Sequence, residues 1–216
     1  MSGADHAESR PITRVAAFDV DGTLTRRDCV VPFLRRVAGT RRLTQGMLRQ
    51  GVAVSGAVAR RDRDSLKAHS AMASFRGVPI DRVEAEAADF ARTVFDTGLR
   101  PDVVEFLRAH QANGDKVVLV SASFEVYLRP LVTLLGADDV LAARLEVDAD
   151  GVLTGRLTGA NCRGPEKVRR LHDWLAENAG GRSAVHVTAY GDSKGDRELL
   201  ADADDARWVG SGKMPR

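Results

Sequence analysis

The chain has 216 residues, 44% of them hydrophobic and 29% charged, with a formal net charge of +2. This composition excludes collagen-like, disordered and disulfide-stapled classes and fits one well-packed domain carrying an insertion. Cys29 and Cys162 stand far apart with no C-x-x-C pair, so neither a disulfide framework nor a zinc site is indicated, and the reducing cytoplasm is the expected location.

The opening MSGADHAESRP is polar, and no run approaches the ~18 apolar residues of a membrane span. Residues 1–11 and 211–216 are expected to be flexible ends. The charge is unevenly spread. Between Arg26 and Asp64 ten arginines face three aspartates, a local balance of +7 that should attract anions.

In chain order, Val15 to Phe18 reads as a short buried strand. Arg100 to Asn113 reads as a helix opened by Pro101, with Val103, Val104, Phe106 and Leu107 as its apolar positions. Lys116 to Val120 (KVVLV) is β-branched and continuous, as a strand covered on both faces would be. A helix is predicted from about Phe124 to Leu135, and a hairpin over Arg144 to Leu157 turning at Asp150-Gly151. Gly164 to Asn178 reads as a helix with Leu171, Trp174 and Leu175 on one face. Val185 to Tyr190 and Arg207 to Val209 read as the last two strands. The alternation predicts a doubly wound parallel α/β sheet, whose ligands sit at the carboxyl ends of the strands.

Three predicted strands end in complementary polar groups: Asp19 and Asp21 after Val15 to Phe18, Ser121 after Lys116 to Val120, and Gly191, Asp192 and Asp196 after Val185 to Tyr190. Lys167 lies early in the helix between the last two. Carboxylates gathered at one point repel one another unless a cation sits among them. An all-oxygen donor set without His or Cys indicates a hard ion, Mg²⁺ above all. Each residue alone has a plainer role, because a single aspartate after a strand caps a helix and a single lysine is solvated. His69, His110, His172 and His186 follow no metal spacing, and Phe33 is the sole aromatic in the basic block, so stacking platforms for nucleic acid are missing.

DVDGT at 19–23, Ser121 in VLVSAS, Lys167 in GPEK and GDSKGD at 191–196 resemble the four ordered motifs of the haloacid dehalogenase superfamily, and the likeness runs from Val15 to about Val209. Residues 29–96 resemble the helical cap of its IB branch, which contains the phosphoserine phosphatases. The resemblance implies a core over 12–28 and 97–210 with the cap inserted. It implies Asp19 as nucleophile, Asp21 as general acid and base, and Ser121 and Lys167 as phosphate-binding residues. Mg²⁺ would be held by Asp19, the Asp21 backbone carbonyl and Asp192, with Asp196 in support. Asp28 falls where those phosphatases hold the substrate ammonium, while Ala71 falls near their cap arginine and motif two reads SAS where they favour SGG.

The expected function is therefore Mg²⁺-dependent hydrolysis of a phosphomonoester through an aspartyl-phosphate. The alternatives are a phosphoserine phosphatase, a phosphatidylglycerophosphate or other lipid-phosphate phosphatase, and a receiver-like module phosphorylated on aspartate. Leu43 to Val58 is mostly apolar and flanked by arginines, as an interfacial helix beside anionic lipid would be. A cap helix packed on its neighbours explains the same pattern.

Overall fold

A computed structural model describes residues 12–60 and 62–214. The predicted flexible ends fall largely outside it, as does Arg61. Of the tail, Gly212 O accepts the indole N–H of Trp208 at 3.0 Å.

The chain opens with β1 (Thr13–Phe18), then makes a helical excursion through α1 (Val30–Arg49), α2 (Gly51–Ala59), α3 (Arg63–Phe75) and α4 (Ile80–Thr93). A π-turn over Val94–Gly98 returns it to α5 (Pro101–Ala112) and β2 (Lys116–Phe124). There follow α6 (Glu125–Leu135), β3 (Asp139–Val147), β4 (Leu153–Thr158), α7 (Pro165–Asn178), β5 (Val185–Gly191), α8 (Arg197–Asp202) and β6 (Asp205–Trp208).

Among the described residues the strands form one mixed sheet in the order β4-β3-β2-β1-β5-β6, with only the β3–β4 pair antiparallel. Strand β1 is central, pairing Phe18 with Leu119 on one side and with Tyr190 on the other. Alternate residues of each strand face opposite ways. Ala16 and Phe18 therefore join Val117 and Leu119 under α5, α6 and the inserted helices, while Val15 and Ala17 join Val118 and Val187 under α7 and α8. Coverage on both faces explains the continuous apolar reading of β2.

Two strand readings are corrected. The predicted hairpin is real, but its first arm starts at Asp139 and pairs parallel with β2 before turning back, so the hairpin is the edge of the main sheet. Strand β2 runs through Ser121 to Phe124, with an irregular register against β3 beyond Val120. Its pairing with β1 stops at Leu119, which frees Ser121 to face the site.

The stretch Leu43–Val58 is not one interfacial helix, because the chain breaks at Gln50 between α1 and α2. Leu43 and Met47 line the central cleft, whereas Leu48, Val52 and Val58 are exposed. Helix α1 is itself interrupted at Gly39, whose φ of 72° lies outside the helical region. Among the described residues no helix is long and apolar enough to cross a membrane.

Candidate active site

The site forms where β1, β2 and β5 end side by side. The Asp19 N–H donates to Tyr190 O at 3.0 Å, tying the end of β1 to β5. The chain then folds into a tight turn in which Thr23 and Thr25 N–H both donate to Val20 O, at 3.2 and 2.9 Å. Arg100 pins that turn, donating through Nη1 to Gly22 O at 2.9 Å and to Val209 O at 3.0 Å. Gly22 has φ +89°, and a Cβ there would lie 2.3 Å from Asp192 Oδ2. Only a glycine lets the two loops approach this closely.

Lys167, fully buried in the first turn of α7, reaches between two carboxylates. Its Nζ donates to Asp19 Oδ1 and to Asp196 Oδ1, 2.6 Å from each. The other oxygen of Asp196 accepts from Ser193 N–H at 3.0 Å and Ser193 Oγ–H at 2.8 Å. Burial alone would raise Asp196, but the charge and hydrogen bond of Lys167 hold it below the usual carboxylate range. Burial likewise opposes the charged amine of Lys167, yet Asp19 and Asp196 keep it above its ordinary value. Burial pushes Asp19 up to about 7, against the pull of Lys167 and with the push of Asp196.

Asp192 completes the group, accepting a 3.3 Å hydrogen bond from the Thr23 hydroxyl. Its carboxyl is raised by burial and then by Asp196. Asp19, Asp192 and Asp196 each offer an oxygen within 4.8 Å of the others, so three carboxylates meet one ammonium. That excess of negative charge and the all-oxygen donors fit a divalent cation. Asp196 Oδ2 is occupied by Ser193 and its Oδ1 by Lys167, whereas Asp192 accepts one hydrogen bond, from Thr23, and Asp19 one, from Lys167.

The remaining sequence candidates also border the cleft, which is open and about 830 Å³ in volume. Asp21 accepts from Cys29 N–H at 2.8 Å through Oδ1 and from the Ser123 hydroxyl through Oδ2, and burial raises its pKa despite the Ser123 bond. The buried Ser121 Oγ accepts from Ser123 N–H at 3.1 Å. Asp28, at the rim, has an occupation besides any ligand: its Oδ1 accepts from Val30 and Val31 N–H, at 2.8 and 3.3 Å, and so caps α1. Thr23, Lys67, Ser123, Asn161 and Arg163 had no assigned role in the sequence. Thr23 and Ser123 stand inside quoted motifs, where hydroxyls beside essential acids are a usable signal. Lys67 and Asn161 carry no local signal.

A model of haloacid dehalogenase-like hydrolases matches residues 16–201. The chain belongs to that family. Within these hydrolases it is of the phosphoserine phosphatase-like kind, with the helical cap inserted after the first strand. It is 38% identical over 205 residues to protein CicA of Caulobacter vibrioides, covering 91% of this chain and 89% of that protein. It is 31% identical over 186 residues to a phosphoserine phosphatase of Streptococcus thermophilus, covering 86% and 78%. Among solved structures, a Bordetella pertussis protein of unknown function aligns with a TM-score of 0.62 at 26% identity, over 88% of this chain and 86% of that one. The haloacid dehalogenase-like fold thus carries a cleft bordered by acids of the first and fourth motifs, the serine of the second and the lysine of the third.

Proposed function

We propose that the chain is a Mg²⁺-dependent phosphomonoesterase working through an aspartyl-phosphate. The observation that carries this reading is the Asp19–Lys167–Asp196 bridge with Asp192 beside it, bordering an open cleft. With Oδ1 fixed by Lys167, Asp19 attacks phosphorus through Oδ2, forming the P–O bond to the carboxylate as the ester P–O bond breaks. Asp21, whose raised pKa favours the protonated form, gives its proton to the leaving alkoxide. It then takes a proton from the water that attacks the aspartyl-phosphate, and inorganic phosphate leaves with Asp19 restored. Ser121 and Lys167 donate to the phosphoryl oxygens and absorb charge developing there. A bound Mg²⁺, held by Asp19, Asp192 and the Asp21 carbonyl, would lower the charge barrier between carboxylate and phosphate.

The helical cap and the second acid at Asp21 favour hydrolysis over a receiver, which needs neither lid nor leaving-group acid. Turnover of p-nitrophenyl phosphate tests this. Many turnovers with Mg²⁺, lost on chelation and in Asp19→Asn, are expected. One stable phosphoryl transfer per chain without further turnover would make it a receiver.

A further inference from the structure

From Cys29 to Arg61 the sequence holds seven arginines and not one Asp or Glu. Near the end of this run lies α2, nine residues with no charged side chain and Ser55 as the one polar group. The active site uses none of it. A helix so apolar is ordinarily buried, yet most of α2 faces outward. Ala57 is fully buried, while Val52 is 92% exposed and Val58 56%, joined by Leu48 at 73% across the break at Gln50.

This outward pose is held at both ends. Gln50 Nε2 donates to His69 O of α3 at 3.0 Å, and Asp62 N–H donates to Ala57 O at 2.9 Å. Arginines stand there too. Arg49 closes α1, and the Arg60 guanidinium folds back along α2 so that a Cβ on Gly56 would lie 3.2 Å from its Nη1. Among the described residues neither arginine has a carboxylate within 4.0 Å. The acids that follow in the chain are engaged elsewhere: Asp62 accepts from Ser65 N–H and Oγ–H, at 3.0 and 2.6 Å, and Asp64 from Asn161 at 2.7 Å.

Whatever covers α2 must be apolar and anionic at once. A second copy of the chain fits badly, because a two-fold contact would set these arginines against one another. Nine residues at a rise of ~1.5 Å also make a ridge only about 13 Å long, far short of the ~800 Å² per partner of a stable interface. A polar protein surface would face side chains that cannot answer its hydrogen-bonding groups. An anionic bilayer meets both demands, since the acyl boundary takes the valines and the headgroup phosphates take the guanidinium groups.

We propose that α2, with Leu48, Arg49 and Arg60, is a docking surface for an anionic phospholipid bilayer, a peripheral contact made without a spanning segment. It would hold the cleft mouth near the membrane, because Leu43 and Met47, which border the cleft, lie in the last turns of α1. The contact is independent of the reaction catalysed in the cleft.

Vesicle sedimentation of the full chain, which requires no turnover, tests it. Phosphatidylcholine vesicles carrying about 30% phosphatidylglycerol are expected to bind it at least about tenfold tighter than pure phosphatidylcholine, with most of the gain lost between about 50 and about 500 mM salt. Val52→Ser with Val58→Ser, which changes no charge, should weaken binding about tenfold while the far-UV spectrum and melting temperature stay in place. Arg49→Gln with Arg60→Gln should weaken it about tenfold or more. Removing the same charge from α4, by Arg82→Gln with Arg92→Gln, should change it less than about twofold. No binding to the phosphatidylglycerol vesicles at the lower salt overturns the proposal. So does a serine pair that binds like the wild type, since the attraction would then be one of general charge. A wild type that is dimeric by light scattering, and monomeric in the serine pair, overturns it as well, because α2 would then join two copies.

Discussion

Gly22 shows how much of this site depends on an atom that is missing. Its φ of +89° is one that an L side chain rarely adopts, and a methyl there would enter the Asp192 carboxylate at 2.3 Å. Gly22→Ala should keep its far-UV spectrum, lose about 10²-fold or more in kcat/KM and weaken divalent-ion binding, because a displacement of about 1 Å at reacting groups costs that much. Activity within a few-fold of wild type would mean that the loop relaxes freely and that the close approach is incidental. This glycine was legible in the sequence because it sits inside a contiguous motif, as were Asp19, Asp21 and Asp192. Lys67 was not. It meets its acceptors 55 and 94 positions away, distances over which a linear pattern outside any motif carries no signal.

At the scale of elements, α7 owes its placement to its first turn. Glu166 accepts from Arg169 at 2.8 and 2.7 Å and from Arg170 at 2.8 Å, and Arg170 donates onward to Ala142 O of β3 at 2.5 Å and to Ala160 O at 2.7 Å. The helix start that presents Lys167 is thereby fastened to the sheet edge. Arg169 first, with Arg170, draws Glu166 down from its ordinary 4.5 to about 2. A carboxylate lowered on folding stabilises the native state above its unfolded value, and that stabilisation drains away as pH falls through the folded one. Glu166→Gln should therefore cost about 1 kcal/mol at neutral pH, the exposed Arg169 being screened by water, with the gap to wild type closing between about 4.5 and about 2. Urea midpoints across that range check it, and a gap independent of pH would assign the effect to shape instead of charge. Helix α5 was legible from its periodicity and its opening Pro101, and α7 from the apolar face of Leu171, Trp174 and Leu175. The parallel half of β3 was not, because only its pairing with Val118 to Val120 identifies Asp139 to Leu141 as sheet.

For the whole molecule, the central question is whether the cap is a separate unit hinged on the core. The sequence suggested a boundary, with an arginine-rich insertion between two stretches of α/β pattern. The packing joins them. Phe33 of α1 lies fully buried with its ring 4.7 Å from Tyr127 of α6, 5.3 Å from Phe90 and 6.0 Å from Phe75. One apolar cluster runs from Phe18 and Leu119 of the sheet to Val83 and Ala87 of the cap. Backbone bonds from Leu153 to Val78 O and from Gly77 to Leu153 O, 2.9 and 2.8 Å, stitch the hairpin edge to the cap as well. Cap and core should then unfold together. The two tryptophans, Trp174 in α7 and Trp208 in β6, report the core, whereas far-UV circular dichroism also reports the four cap helices. Denaturant transitions followed by the two probes are expected to coincide. Phe33→Ala, made in the cap, should shift both by the same ~3–5 kcal/mol, the cost of truncating a buried phenylalanine. If the dichroism transition moves earlier while the fluorescence stays in place, the cap melts on its own, and the shared cluster does not couple the lid to the sheet that holds the acids.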